Sequence, residues 1–311
     1  MKRILILLLA ALLLFGCSQP AETKQTSAPE PTTTPEPTAE PTVEPTEEPN
    51  TVTIDGEVFL YDGFSVVEPE VTFDIYTKTV SDFVDDFDTV YEVDRESYLL
   101  TPGADTETTV VKITGREPGP VVYVAAGIHG NERAAWYAGL MLQKATIKAG
   151  TVYVLAPANA QGARLNRRTV GDEDPNRCFP GDENGTLAQR ICYAIFHDIE
   201  DKQPEILLDL HEAIVYSAGR DFLGSNLIYS SLTGMEDLFF DLLFDTQDGK
   251  VTSRPFNVNG PGPAGSMNRT VAEELGIPAI TVETFRGFPM ERRVSDQLKI
   301  VAYVLRYKGM L

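Results

Sequence analysis

Six consecutive apolar residues, Val121-Val-Tyr-Val-Ala-Ala126, form a β-branched run of the kind that reads as a strand covered on both faces. The run breaks at Gly127-Ile-His-Gly-Asn-Glu-Arg133, and from Ala134 to Lys148 the apolar spacing turns helical. A buried strand that ends in glycine and passes into a helix constrains the chain to an open α/β sheet. Such sheets keep their ligand sites at strand-to-helix turns. His129 and Glu132 sit on this turn, three residues apart, close enough for an imidazole and a carboxylate to converge on one metal ion. An H-x-x-E pair alone is weak: it equally describes a turn histidine and a glutamate favoured by a helix N-terminus.

The same pattern recurs downstream. Thr108–Thr114 reads as a strand, and Thr151-Val-Tyr-Val-Leu155 as a buried one. Glu205-Ile-Leu-Leu-Asp-Leu-His211 and Pro278-Ala-Ile-Thr-Val-Glu283 are further apolar strands, each delivering a polar group at its C-terminal end. Helical spacing covers Thr186–Asp201, Leu232–Phe244 and Phe288–Leu311. This alternation predicts a three-layer α/β/α domain with a mixed, mainly parallel sheet, spanning residues 105–311. Of the three histidines, His129 and His211 end apolar strands, whereas His197 falls inside a helix and reads as a surface or packing residue. Arg164, Arg167, Arg168 and Arg177 fall in one loop of an otherwise acidic chain. They form either a binding surface or a loop neutralised by Asp172, Glu173 and Asp174.

The N-terminus carries a different message. Met1-Lys-Arg3 followed by the apolar run Ile4–Phe15 has the form of a secretory signal peptide, too short to span a bilayer of ~30 Å. Leu14-Phe-Gly-Cys17 resembles a lipoprotein lipobox, so residues 1–17 are expected to direct export and lipidation at Cys17, with lipid chains anchoring the protein to a membrane. Residues 18–50, rich in proline, threonine and glutamate, cannot bury enough apolar surface to fold and are expected to be a disordered tether. Residues 51–104 read as a small β-rich appendage, with a hairpin over Thr51–Leu60 around Asp55-Gly56 and an untyped acidic stretch from Val66 to Val93. A formal net charge of −20 makes nucleic acid an improbable partner. With Cys17 reserved for lipid, Cys178 and Cys192 remain; they could pair, but two cysteines make no disulfide scaffold.

The ordered set Gly127-Ile-His-Gly-Asn-Glu132, Asn176-Arg177, Asp209-Leu-His211 and a late strand ending in Glu283 resembles the zinc carboxypeptidase clan. Within it, residues 105–308 look most like the succinylglutamate desuccinylase/aspartoacylase family. The resemblance implies one zinc ion held by His129, Glu132 and His211, which leaves one position open for water. It implies Glu283 as general base, with Glu212 the alternative, and Asp174 orienting His129 through its free ring N–H. Asn176 and Arg177 would grip a substrate carboxylate, for which a guanidinium fork is suited. Arg168 would polarise the scissile carbonyl, with Arg167 or Arg164 as substitutes. Two departures bear on substrate: Pro175 stands where the family usually has leucine, and its pocket tyrosine has no clear counterpart beyond Tyr216 or Tyr229.

The expected protein is therefore an extracytoplasmic, membrane-anchored zinc hydrolase. It would cleave an amide beside a free carboxylate, in a peptide or an N-acyl amino acid, as a carboxypeptidase or a deacylase. A ligand-capturing lipoprotein and an inactive zinc-binding family member are the alternatives. The first needs neither three metal ligands nor Glu283. Serine hydrolysis has no support, because the chain lacks a G-x-S-x-G elbow.

Overall fold

The computed structural model describes residues 50–311, apart from 55, 64, 73 and 214–223. The expected leader, Cys17, the tether and Tyr216 lie outside the described residues. The hairpin is present as β1 (Thr51–Ile54) and β2 (Glu57–Leu60), paired antiparallel. Short 3-10 turns occupy much of Ile75–Phe87. Then come β3 (Val93–Leu100), β4 (Thr108–Gly115), β5 (Glu117–Ala126), α1 (Arg133–Leu142), β6 (Ala149–Leu155), α2 (Ala160–Leu165) and α3 (Leu187–Lys202). β7 (Ile206–Ala213), β8 (Asn226–Ser231), α4 (Glu236–Gln247), β9 (Asn257–Asn259), a single-turn α5 (Met267–Thr270), β10 (Ala279–Phe285) and α6 (Met290–Tyr307) complete the chain.

Eight strands form one sheet in the order β3-β4-β6-β5-β7-β10-β8-β9. The central four, β6-β5-β7-β10, are parallel, and antiparallel partners flank them on both sides, so the sheet is mixed as expected. Alternation along the central strands builds two cores. Val122, Val124, Leu208, Leu210, Ile280 and Val282 face α1, α4 and α6. Tyr123, Ala125, Leu207 and Ala279 face α3 and α5. Asp209, His211, Thr281 and Glu283 share the parity of Leu207 and Ala279, which places them on the α3 side of the sheet.

Several elements differ from the sequence reading. β3 falls within the stretch assigned to the appendage, yet it is the edge strand of the main sheet, paired with β4 along its whole length. Its sequence, Val-Asp-Arg-Glu-Ser-Tyr-Leu-Leu, is mostly exposed and highly charged, as suits an edge strand, and so shows little apolar alternation. The tyrosine of β3 ties it to the domain: the Tyr98 and Tyr123 hydroxyls both donate to Asp198 on α3. α1 stops at Leu142, short of Lys148, because the chain must turn back to begin β6 at Ala149. α4 starts at Glu236, since Asn226–Ser231 form strand β8 and the chain must turn before the helix. Cys178 and Cys192 are free thiols donating to the Asp174 and Pro175 carbonyls. Among the described residues no helix is long and apolar enough to cross a membrane.

The strand order locates the ligand site. After β5 the chain moves to β6 on one side; after β6 it crosses to β7 on the other side of β5. Departing chains therefore splay apart beyond the C-terminal ends of β5 and β7, leaving a crevice at that switch point.

Candidate metal centre

Two turns feed this crevice. Gly127, at φ +78°, lets the chain turn sharply off β5. Gly130 then lies against the start of α2, where a Cβ would overlap the backbone of Gly162 and Ala163. The Trp136 indole N–H donates to the Gly130 carbonyl at 3.0 Å and fixes the turn from the other side. His129 and Glu132 are thereby buried at 2% exposure each. His211 arrives from the end of β7, and Glu283 is its register partner on β10.

His129, Glu132 and His211 each offer a ligand atom, and these atoms lie within 4.8 Å of one another. Both imidazoles present Nδ1 to the Glu132 carboxylate, His129 at 2.7 Å to Oε1 and His211 at 2.8 Å to Oε2. Their outer nitrogens are occupied elsewhere. His129 Nε2 lies 2.9 Å from Asp174 Oδ1, and His211 Nε2 lies 3.1 Å from Asp209 Oδ1. The second contact is electrostatic and poorly aligned, leaving Asp209 Oδ1 without a hydrogen-bond partner among the described residues. Carboxylates on the outer nitrogens direct the inner ones at a common point, the arrangement that orients metal-binding histidines. Two imidazole nitrogens and one carboxylate oxygen, ringed by Asp174, Asp209 and Glu283, fit a divalent metal ion.

The electrostatics agree. Burial works against the charge on Glu132, but the two imidazoles facing it hold its carboxyl well below the usual range. Burial likewise opposes a charged His211, yet Asp209 and Glu132 hold its pKa above the ordinary value. Glu283 behaves in the opposite way. Burial, with Glu132 and Asp209 adding to it against His211 and Arg168, pushes its carboxyl up to about 8. Its Oε2 is buried and has no hydrogen-bond partner among the described residues. A carboxyl with a pKa near neutral and an uncommitted oxygen suits proton transfer.

The arginine loop supplies the remaining wall. Asp174 Oδ1 accepts the Asn176 N–H at 2.9 Å, capping the 3-10 turn Pro175–Arg177 while holding His129. Asn176 Oδ1 accepts from Met267 N, which pins the turn to α5. Arg168 reaches Glu132 at 3.1 Å and Asp174 at 3.2 Å, so part of the loop is self-neutralised. Arg164 and Arg167 are exposed and outside the cavity lining. Arg177 is exposed, and among the described residues no carboxylate lies within ion-pairing distance of it; its Nη1 donates only to the Asn176 carbonyl. A cavity of about 200 Å³ is lined by Arg168, Asn176, Arg177, Ile228, Thr281 and Glu283 and opens beside His129.

Residues 118–306 match the family model described as the succinylglutamate desuccinylase/aspartoacylase catalytic domain. The chain belongs to this family. The fold is that of zinc carboxypeptidase-like proteins, and solved structures agree. A succinylglutamate desuccinylase from Silicibacter sp. TM1040 superposes with TM-score 0.53 at 17% identity, over 72% of this chain and 69% of that one. The ectoine utilization protein EutE from Ruegeria pomeroyi gives TM-score 0.54 at 21% identity, over 72% and 69% of the two chains. The cell shape determinant Csd4 from Helicobacter pylori gives 0.54 at 16% identity, over 71% of this chain and 56% of its own. No curated protein matches the sequence significantly.

Within this desuccinylase/aspartoacylase scaffold the structure brings together His129, Glu132, His211, Asp174, Asn176, Arg177, Arg168 and Glu283. Two readings change. Tyr229 turns to the opposite face of β8 from Ile228 and packs edge-on against Phe239, 5.2 Å away, outside the cavity lining. Glu212, next to His211, likewise points through the sheet, onto Arg293 and the Ala134 N–H. It cannot serve as a base at the centre. The sequence reading assigned no role to Asp209. Its i, i+2 spacing from His211 on a strand was the signal that both share a face. If the three-ligand reading holds, His211→Ala should abolish stoichiometric metal binding, measured by elemental analysis, whereas His197→Ala should retain it. Full metal content in the His211 variant would sink it.

Proposed function

We propose that this protein is a zinc-dependent hydrolase that cleaves an amide bond next to a free carboxylate, acting from a lipid-anchored position outside the cytoplasm. The observation that carries the reading is Arg177. Among the described residues it is a guanidinium without a carboxylate partner, and it lines the cavity that is also lined by Glu283 and by His129 of the three-ligand cluster. In a chain of net charge −20, an arginine that no described carboxylate pairs is a site for an anion supplied by substrate. The donor set supports zinc as the ion, since zinc accepts histidine and carboxylate together and is used in three-ligand catalytic sites. Bound zinc supplies Lewis-acid polarisation of a carbonyl and a lowered pKa for water.

The chain's own groups account for the remaining steps. Arg177, with Asn176 beside it, binds the carboxylate and sets the scissile bond in the cavity. In its ionised form Glu283 accepts a proton from the attacking water and passes it to the leaving nitrogen, giving a carboxylate and an amine. Arg168, which lines the cavity, would shift from Glu132 and Asp174 to meet negative charge developing on the carbonyl oxygen. Both substrate types have relatives on this fold: Csd4 has been solved with a tripeptide, and EutE with product. A peptide is favoured, because an exported enzyme meets peptides and cell-wall stems more readily than cytosolic metabolites. Export and anchoring rest on the residues 1–17 alone.

Three outcomes test this reading. Glu283→Gln keeps the size of the side chain but not its basicity, so zinc content should persist while kcat falls ~10²-fold or more; undiminished turnover would remove Glu283 as the base. Arg177→Met should lower kcat/KM by roughly 10²-fold on free-acid substrates. It should also erase the wild-type preference for an acid over its amide, whereas equal loss on both would make Arg177 structural. Cys17→Ser should move the protein from the membrane fraction to the soluble exported fraction, and persistent membrane association would refute the lipid anchor.

A further inference from the structure

The segment before β3 lies upstream of the family domain, yet it is fastened to the corner that carries the site. Ile54, Phe59 and Val66 bury against Phe285 and Phe288, which follow Glu283 and lead into α6. Phe59 lies edge-on to Phe285 at 5.4 Å, and Glu57 pairs with Arg254 and Arg292. Just past the hairpin, Glu68 meets three guanidinium groups: Arg286 at 2.6 Å, Arg293 at 3.0 Å and Arg133 at 3.4 Å. Partial burial disfavours its charge, but Arg286 and Arg293 more than offset this and hold the carboxyl below the usual range.

From there a continuous set of contacts reaches the metal centre. Arg293 is fully buried and holds Glu212 at 2.6 Å. Glu212 accepts the Ala134 N–H at 2.8 Å and gives its own N–H to Glu132 Oε2 at 3.0 Å. Arg133 directly follows Glu132 in the chain. With Glu68 present, three cations share two carboxylates. Without it, Arg133 would lose this carboxylate, and Arg286 and Arg293 would be left with Glu212, leaving uncompensated buried charge and drawing Glu212 away from Ala134. Excess positive charge behind Glu132 would also oppose a dication. Both effects have the same sign.

We propose that Glu68 is a positioning residue of the metal centre: by neutralising Arg133, Arg286 and Arg293 it keeps Glu212 in place and holds the Glu132 carboxylate ready for the ion. This rests on the zinc reading above. Partners that orient metal ligands in this indirect way typically affect metal affinity by about 10- to 100-fold.

The test is a zinc titration of the purified protein against a chromophoric chelator, with thermal unfolding measured alongside. Glu68→Gln should weaken zinc binding about tenfold or more. Glu57→Gln removes the ion pairs to Arg254 and Arg292 from the same segment but has no route to Glu132, so it should leave zinc affinity unchanged even where it lowers Tm. Wild-type affinity in Glu68→Gln, or equal losses in both variants, would show that Glu68 is merely structural. Should Glu68→Gln not fold, Glu68→Asp decides instead: it keeps the charge but shortens its reach, and reduced affinity is expected while an unchanged value overturns the proposal. A wild type that takes up no zinc would defeat the zinc reading together with this one. Zinc binding that is insensitive to Glu68 would defeat this one alone.

Discussion

A carboxylate with 2% exposure is tolerable only if its oxygens meet donors, and Glu132 meets that condition. It takes His129 Nδ1 and His211 Nδ1 on its two oxygens, the Glu212 N–H on one and Arg168 on the other. These four partners come from the turn after β5, the end of β7 and the arginine loop. Each element that meets at the crevice is therefore committed to one buried charge. The same donors that make Glu132 bearable also aim two imidazoles at it, so the requirement for burial and the geometry of a metal centre have one solution.

Register does the rest. His211 and Glu283 are partners across β7 and β10, and Asp209 and Thr281 are partners one pleat earlier. The repeat of two brings Asp209 beneath His211 and sends Glu212 through to the other face, where Arg293 receives it. The adjacent residues His211 and Glu212 thus acquire opposite duties by parity alone. Glu283 is left in a site with too little solvent and too many carboxylates to ionise easily, which sets its pKa near 8. Arg177 is left with an exposed charge that no carboxylate of the described chain satisfies.

The upstream segment is not an ornament on this arrangement. Its apolar residues cover Phe285 and Phe288, and its glutamates pair with Arg286, Arg292 and Arg293 of the domain. Charge compensation from outside the family domain is consistent with a domain that cannot close its own catalytic corner.

The sequence by itself determined the α/β class, the central strands, the order of the motifs and the identity of the polar groups at strand ends. These are written in local terms: unbroken apolar runs, glycine turns and the few histidines. It could not show that Val93–Leu100 joins the main sheet, because an exposed edge strand carries charge in place of alternation. Nor could it separate Arg168 from Arg164 and Arg167, exclude Tyr229 and Glu212, or find the Glu68 network. Those depend on which face a side chain takes and on partners distant in the chain. Burial decides them, because the cost of an unpaired charge is felt only once the whole sheet has closed around it.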